Sequence, residues 1–178
     1  MTPDDLKALV RTVPDFPRPG IQFRDITTLL RHSAGFAETV GLLAERAAAV
    51  DPSAIAAVEA RGFLFGAAMA ARLGIGLIPV RKPGKLPVPA IGIDYALEYG
   101  TDRLEIDPGA VEPGEAIVLV DDLIATGGTA LAAAELLRRA GGRVDHALFV
   151  MDLPDLGGAD RLREQGIAAS ALFAYPGH

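Results

Sequence analysis

Val118-Leu119-Val120-Asp121-Asp122-Leu123-Ile124-Ala125-Thr126-Gly127-Gly128-Thr129 reads as a buried strand that runs into two adjacent acids, then a Gly/Thr turn, then the start of a helix. At such a junction the unpaired backbone N–H groups of Thr126, Gly127, Gly128 and Thr129 form an anion cup at the positive end of the helix. The glycines let a phosphate approach closely, and the two Thr hydroxyls add donors. The turn lacks the Gly-Lys-Ser/Thr of a Walker A loop and the Gly-x-Gly-x-x-Gly of a dinucleotide fingerprint. The acids precede the cup by about four residues. They therefore stand where the hydroxyls of a sugar would lie if its terminal phosphate sat in the cup.

On both sides of this stretch, short apolar strands alternate with helices. The strands are Ala54–Val58, Gly76–Val80, Ala116–Val120, Val144–Met151 and Ile167–Phe173. The helices run from a Ser33 cap to about Val50, from Gly62 to Leu73 with Gly74 as stop, from Gly128 to Ala140, and from about Asp155 to Glu164. This order predicts an α/β fold, a doubly wound and mainly parallel sheet with helices on both faces, whose ligands bind at the carboxyl ends of the strands. Thr2 and Pro3 open a short N-terminal helix. Three prolines between Pro14 and Pro19 then impose a stiff loop. Residues 81 to 92, rich in Pro, Gly and Lys, predict a mobile loop, and Tyr95–Glu98 with Arg103–Ile106 predict a hairpin.

The chain has 178 residues, half of them apolar and 22% charged, a composition and length suited to one domain over residues 1–178. A net charge of −6 disfavours nucleic-acid and membrane-surface partners. The absence of Cys excludes thiol catalysis and thiolate metal sites. The first ten residues lack a signal-peptide pattern, and no apolar run approaches the ~18 residues of a membrane span, so a soluble, cytoplasmic protein is expected.

Other residues point to an anionic ligand. Of three Lys in the chain, Lys82 and Lys85 stand beside Arg81 in the loop at 81–92, where they read either as a solvated charged loop or as a lid over an anion. Arg61 follows a strand and precedes a helix-opening Gly, a place for bidentate anion contacts or for an Arg at a strand end. Phe23 taken alone reads as a core aromatic, and Glu98 as an exposed hairpin residue. His32, His146 and His178 have no metal-ligand spacing.

The Asp121–Thr129 stretch resembles the phosphoribosyl pyrophosphate (PRPP) signature of the type I phosphoribosyltransferases. Four further segments resemble that family's adenine branch. They are the Pro14–Thr27 segment, Glu59-Ala60-Arg61-Gly62-Phe63, Arg81–Pro87, and Tyr95 to Gly100. The resemblance implies an N-terminal hood over about residues 1–32 and a flexible lid over about 81–103. It implies transfer of the 5-phosphoribosyl group of PRPP to adenine, in purine salvage. Ala125, Thr126, Gly127, Gly128 and Thr129 would hold the 5-phosphate, and Asp121 and Asp122 the ribose hydroxyls. Arg61, Arg81, Lys82 and Lys85 would face the pyrophosphate. Phe23 would stack on the purine, with main-chain atoms of Gln22 and Arg24 at its edge, and Glu98 would handle the purine proton. The resemblance also implies Mg²⁺ carried mainly by PRPP, no metal held by protein ligands alone, a non-proline cis peptide next to Ala60, and a homodimer with one subunit's lid near the other's site. An oxopurine as the base, or a non-catalytic sensor of PRPP or purines, would account for the same motifs.

Overall fold

The computed structural model describes residues 1–97 and 100–177. Five parallel strands form its centre: β3 (Ala54–Val58), β4 (Gly76–Val80), β7 (Ala116–Ile124), β8 (Arg143–Asp152) and β9 (Ala168–Ala174). They lie in the order β4-β3-β7-β8-β9. From β3 the chain winds outward through α4 (Arg61–Leu73) to β4. From β7 it winds the other way, through α5 (Gly128–Arg139) and α6 (Gly158–Glu164). The adjacent strands β3 and β7 thus flank the switch point, where a doubly wound sheet opens a crevice beyond its carboxyl ends.

Side chains alternate between the two faces of the sheet. Ala56, Leu119 and Phe149 pack with α5, α6 and a hairpin of β5 (Ile91–Ala96) and β6 (Thr101–Ile106). Ile55, Val118 and Val150 pack with α1 (Pro3–Ala8), α3 (Ser33–Ala48) and α4. All five residues of β3 are buried, as expected of a central strand covered on both faces. A Cβ at Gly66 of α4 would lie 2.4 Å from the Ala57 Cβ, so this glycine lets the helix approach the sheet.

The stiff loop is the turn of a second small sheet, β1 (Arg11–Pro14) with β2 (Gln22–Asp25), in which Val13 faces Phe23. The turn contains a cis Phe16–Pro17 peptide, and Asp15 accepts from the Gly20 N–H at 2.8 Å. A short helix, α2 (Thr27–Arg31), leads into α3.

Several boundaries differ from the sequence expectation. α3 is capped by His32, whose Nδ1 accepts from the Gly35 N–H at 3.0 Å, with Ser33 already helical. β7 continues past Val120 because β8 continues beside it, with Asp121 opposite Phe149 and Ile124 opposite Asp152. α6 starts at Gly158, after a 3₁₀ turn at Pro154–Leu156 and a left-handed Gly157. The hairpin begins at Ile91, since Ile91, Ile93 and Tyr95 alternate inward onto the core. The start of the expected mobile loop is tied down, with Arg81 and Glu105 exchanging two backbone hydrogen bonds of 2.8 Å.

Candidate active site

β7 delivers Asp121 and Asp122 to the switch point, and the chain then turns through Ala125, Thr126 and Gly127 into α5. Gly127 sits at φ +85°, where a side chain would be strained, and its Cβ would meet the Gly158 backbone at 2.9 Å. No side chain caps the amino end of α5. The cup is a cavity of about 200 Å³, lined by both acids, the turn from Ala125 to Thr129, Arg61, and Ala96 and Leu97 of the hairpin.

Asp122 is buried, and its Oδ2 accepts from Arg61 Nε at 2.6 Å. Asp121 Oδ1 accepts the Asp122 N–H at 2.8 Å. Burial, and then the neighbouring Asp122 charge, push the Asp121 carboxyl well above the usual carboxylate range. Gly62 leaves room for this carboxylate, because a Cβ there would stand 2.9 Å from Asp121 Oδ1.

A second cavity of about 280 Å³ adjoins the cup and is lined by Glu59, Ala60, Arg61, Lys82, Asp121, Asp122 and Thr129, among others. The Glu59–Ala60 peptide is cis, as the resemblance implied. Glu59 Oε2 accepts from the Lys82 N–H at 2.8 Å and from Arg81 Nε at 3.0 Å. The Lys82 N–H, with help from Arg81, holds the Glu59 carboxyl below its ordinary value despite desolvation. Lys82 Nζ is paired with Asp102 and lies 3.4 Å from the Tyr95 hydroxyl. Burial works to lower its pKa, but the hydrogen bonds to Asp102 and Tyr95 outweigh it and leave the ammonium above its ordinary value. Tyr95 donates to Asp102 at 3.1 Å and accepts from the Thr129 hydroxyl at 3.4 Å.

The third cavity, about 430 Å³, is apolar and lies under the small N-terminal sheet. Gln22, Phe23, Leu123, Leu153 and Leu156 contribute to its wall. Phe23 is held edge-on by Phe16 with ring centres 5.2 Å apart, and the Arg61 guanidinium stands 5.8 Å from the Phe23 ring. Arg24 also lines the cavity, but its guanidinium is engaged by Thr12 at 2.6 Å and by the Tyr175 ring at 4.2 Å. Neither partner lines the cavity.

Most of the residues singled out from the sequence converge on these three cavities. Arg81 and Lys85 line none of them. Glu98 lies outside the described residues. Sequence reasoning missed Glu59 as the tether of Arg81 and Lys82, and Tyr95 and Asp102 as partners of Lys82. The last two face each other across the hairpin. The second strand expected from the sequence begins at Arg103 and so leaves Asp102 out of it, whereas β6 begins at Thr101 and pairs Asp102 with Tyr95. Among the described residues no three His, Asp or Glu side chains gather into a metal cage.

A phosphoribosyl transferase domain model matches residues 25–161. An adenine phosphoribosyltransferase of Novosphingobium aromaticivorans is 67% identical over the full length of both chains. The crystal structure of adenine phosphoribosyltransferase from Thermoanaerobacter pseudethanolicus superposes with a TM-score of 0.93 at 46% identity, over 98% of this chain and 100% of that one. That of Saccharomyces cerevisiae, complexed with an imino-altritol bisphosphate and adenine, gives 0.88 at 37%, over 96% and 97%.

Proposed function

The chain belongs to the phosphoribosyl transferase domain family, and from that premise we propose that it transfers the 5-phosphoribosyl group of PRPP to adenine, giving AMP and pyrophosphate in purine salvage. The observation that carries this reading is Arg61, which lines all three cavities. An anion cup, a second polar cavity and an apolar pocket meet at one guanidinium. That geometry suits a substrate with a phosphate at one end, a pyrophosphate at its reacting carbon and a flat base beside it.

The 5-phosphate occupies the cup from Ala125 to Thr129, with the ribose hydroxyls on Asp121 and Asp122. Adenine enters the apolar pocket against Phe23, its edge read by main-chain groups of Gln22 and Arg24. Its N9 attacks the anomeric carbon as the bond to the pyrophosphate oxygen breaks on the opposite face, with inversion. Positive charge builds on the sugar ring, where the two carboxylates stabilise it. Arg61 and Lys82 face the departing pyrophosphate, and Arg81 and Lys85 add positive potential from the lid. Glu98 is proposed as the group that takes the purine proton. Enclosure by the lid protects the reacting carbon from water. Asp121 and Asp122 offer hard oxygen donors that would help hold Mg²⁺ chelated by PRPP, and the ion would supply positive charge to the leaving group. The reading extends to one domain over residues 1–178, with a hood over about 1–32 and a lid over about 81–103, and to a cytoplasmic homodimer. Among the described residues no helix is long and apolar enough to cross a membrane.

The test is AMP and pyrophosphate formation from PRPP and Mg²⁺ with adenine, hypoxanthine, guanine and xanthine in parallel. Product with adenine alone is expected, because a site built for an amino donor rejects a carbonyl. Product from an oxopurine instead would overturn the base assignment. No product with any base would overturn the enzyme.

A further inference from the structure

The phosphate cup is held from behind. The carbonyls of Ala125 and Thr126 are both taken up by the start of α6. The Gly158 N–H donates to Ala125 O at 2.9 Å, and Arg161 Nη1 donates to Thr126 O at 2.5 Å. Both peptides are trans, so the N–H of the following residue points opposite to each carbonyl. Fixing these two carbonyls toward α6 turns the N–H groups of Thr126 and Gly127 away from it. The cup cavity lies on that other side, since no residue from 157 to 161 lines it.

Contact between the two segments is backbone on backbone. A Cβ on Gly158 would lie 2.4 Å from Ala125 O and 2.6 Å from the Gly127 N, closer than atoms can stand. Arg161 is the side-chain part of this support. Its guanidinium lines a groove between α5 and α6 with Glu135, Arg138 and Glu164, and it lines none of the three cavities described above. Contact with a substrate is therefore not its task.

We propose that Arg161 is a positioning residue for the 5-phosphate, fixing the Thr126–Gly127 peptide so that its N–H faces the cup. The proposal rests on the reading of the cup as a phosphate site. A hydrogen bond from a cationic donor to an oriented carbonyl also polarises that peptide, which makes its N–H a better anion donor.

The test is binding of ribose 5-phosphate, by calorimetry, to the wild type, Arg161→Ala and Arg161→Lys, with steady-state constants for PRPP and adenine. Arg161→Ala is expected to weaken ribose 5-phosphate and raise the KM for PRPP about five- to tenfold, the scale of one ordinary net hydrogen bond, because Arg161 acts on the phosphate only through the peptide it holds. The KM for adenine should stay within about twofold and the Tm within about 2 °C, as for an exposed substitution. Arg161→Lys should recover most of the loss, because one N–H donor suffices, and the amide exchange of Gly127 should rise in the Ala variant alone. Unchanged ribose 5-phosphate affinity in Arg161→Ala, or a parallel rise in the adenine KM, would overturn the proposal while wild-type AMP synthesis left the enzyme standing. A wild type that binds no ribose 5-phosphate would remove the cup reading and this proposal together.

Discussion

Arg61 Nε donates to Asp122 Oδ2 across 2.6 Å, joining the start of α4, just after β3, to the neighbouring strand β7. The two partners differ in environment. The Arg61 side chain is 48% exposed and that of Asp122 only 5%. The carboxylate is sheltered, while the guanidinium stays open to the crevice. In one position Arg61 offsets a buried acid and presents positive charge to two polar cavities.

Replacing Arg61 by Gln should therefore separate stability from activity. The solvent-exposed side of the pair limits the loss of stability to about 1–2 kcal/mol, mostly from the uncompensated Asp122. Turnover should fall roughly 100-fold or more, the usual effect of deleting one preorganised charge partner of a transition state. Urea unfolding and steady-state kinetics on one preparation check both. Equal and small changes in the two would remove Arg61 from the reaction.

Asp121 gives a pH prediction of definite sign. Burial raises its folded pKa above the unfolded value near 3.8. Its contribution is complete below that pH and is lost as pH rises through the folded pKa, so ionised Asp121 costs stability at neutral pH. Asp121→Asn keeps the Oδ1 acceptor for the Asp122 N–H and abolishes the titration. It should be more stable than wild type by roughly 1 kcal/mol at pH 8, with the gap closing toward pH 4, while activity drops. Calorimetry at several pH values decides it; a variant less stable at pH 8 would contradict the assignment.

Asp25 has the opposite sign. The Thr27 hydroxyl and N–H, and then Arg11, hold its pKa at about 2. Its stabilisation is present above pH 3.8 and lost as pH falls through about 2. Asp25→Asn should cost about 1–2 kcal/mol at pH 7 and little at pH 2. Calorimetry extended down to pH 2 measures it.

The sheet was legible because each central strand carries a continuous apolar run, and because Gly and Thr mark the turn before α5. The small N-terminal sheet was not. Pro14 and Pro17 read as loop, but β1 consists of Arg11–Pro14 and pairs on one side only, where proline is tolerated. The length of β7 depended on β8, a neighbour that local sequence does not reveal. Within the site, Asp121, Asp122 and the Gly/Thr turn are contiguous and could be read directly. The Lys82–Asp102 pair and the diversion of the Arg24 guanidinium to Thr12 and Tyr175 arise from tertiary packing, which no spacing rule predicts.

Gly66→Ala tests the packing that seats Arg61. The added methyl would meet the Ala57 Cβ at 2.4 Å, and neither atom can rotate away. α4 must then shift off β3, at about 1–3 kcal/mol, partly offset by about 1 kcal/mol of helix propensity. Arg61 begins the same helix, so activity should fall with stability. Gly76→Ala, with no atom within 4 Å of its Cβ, is the control and should be nearly neutral. Thermal melts of both variants provide the comparison.

If Lys82 meets PRPP as proposed, Asp102 should compete with it for the ammonium. Its carboxylate holds the ammonium that faces the second polar cavity, and through Tyr95 it also holds the Thr129 hydroxyl at the cup. The two donors proposed for PRPP are thus engaged by the hairpin, Lys82 by Asp102 and the Thr129 hydroxyl by Tyr95. The side chains of Lys82 and Asp102 are 36% and 28% exposed, so the pair contributes no more than about 1 kcal/mol and a polyanion can displace it. Asp102→Asn removes the competing charge and keeps the shape. It should tighten PRPP binding about three- to fivefold, the equivalent of that energy. Lys82→Met should weaken PRPP about tenfold, and Asp102→Asn should have no effect in that background. Calorimetric titration of the four proteins with PRPP and Mg²⁺ closes the cycle. Weaker binding in Asp102→Asn alone would mean that the carboxylate orients Lys82 for the ligand and does not compete for it.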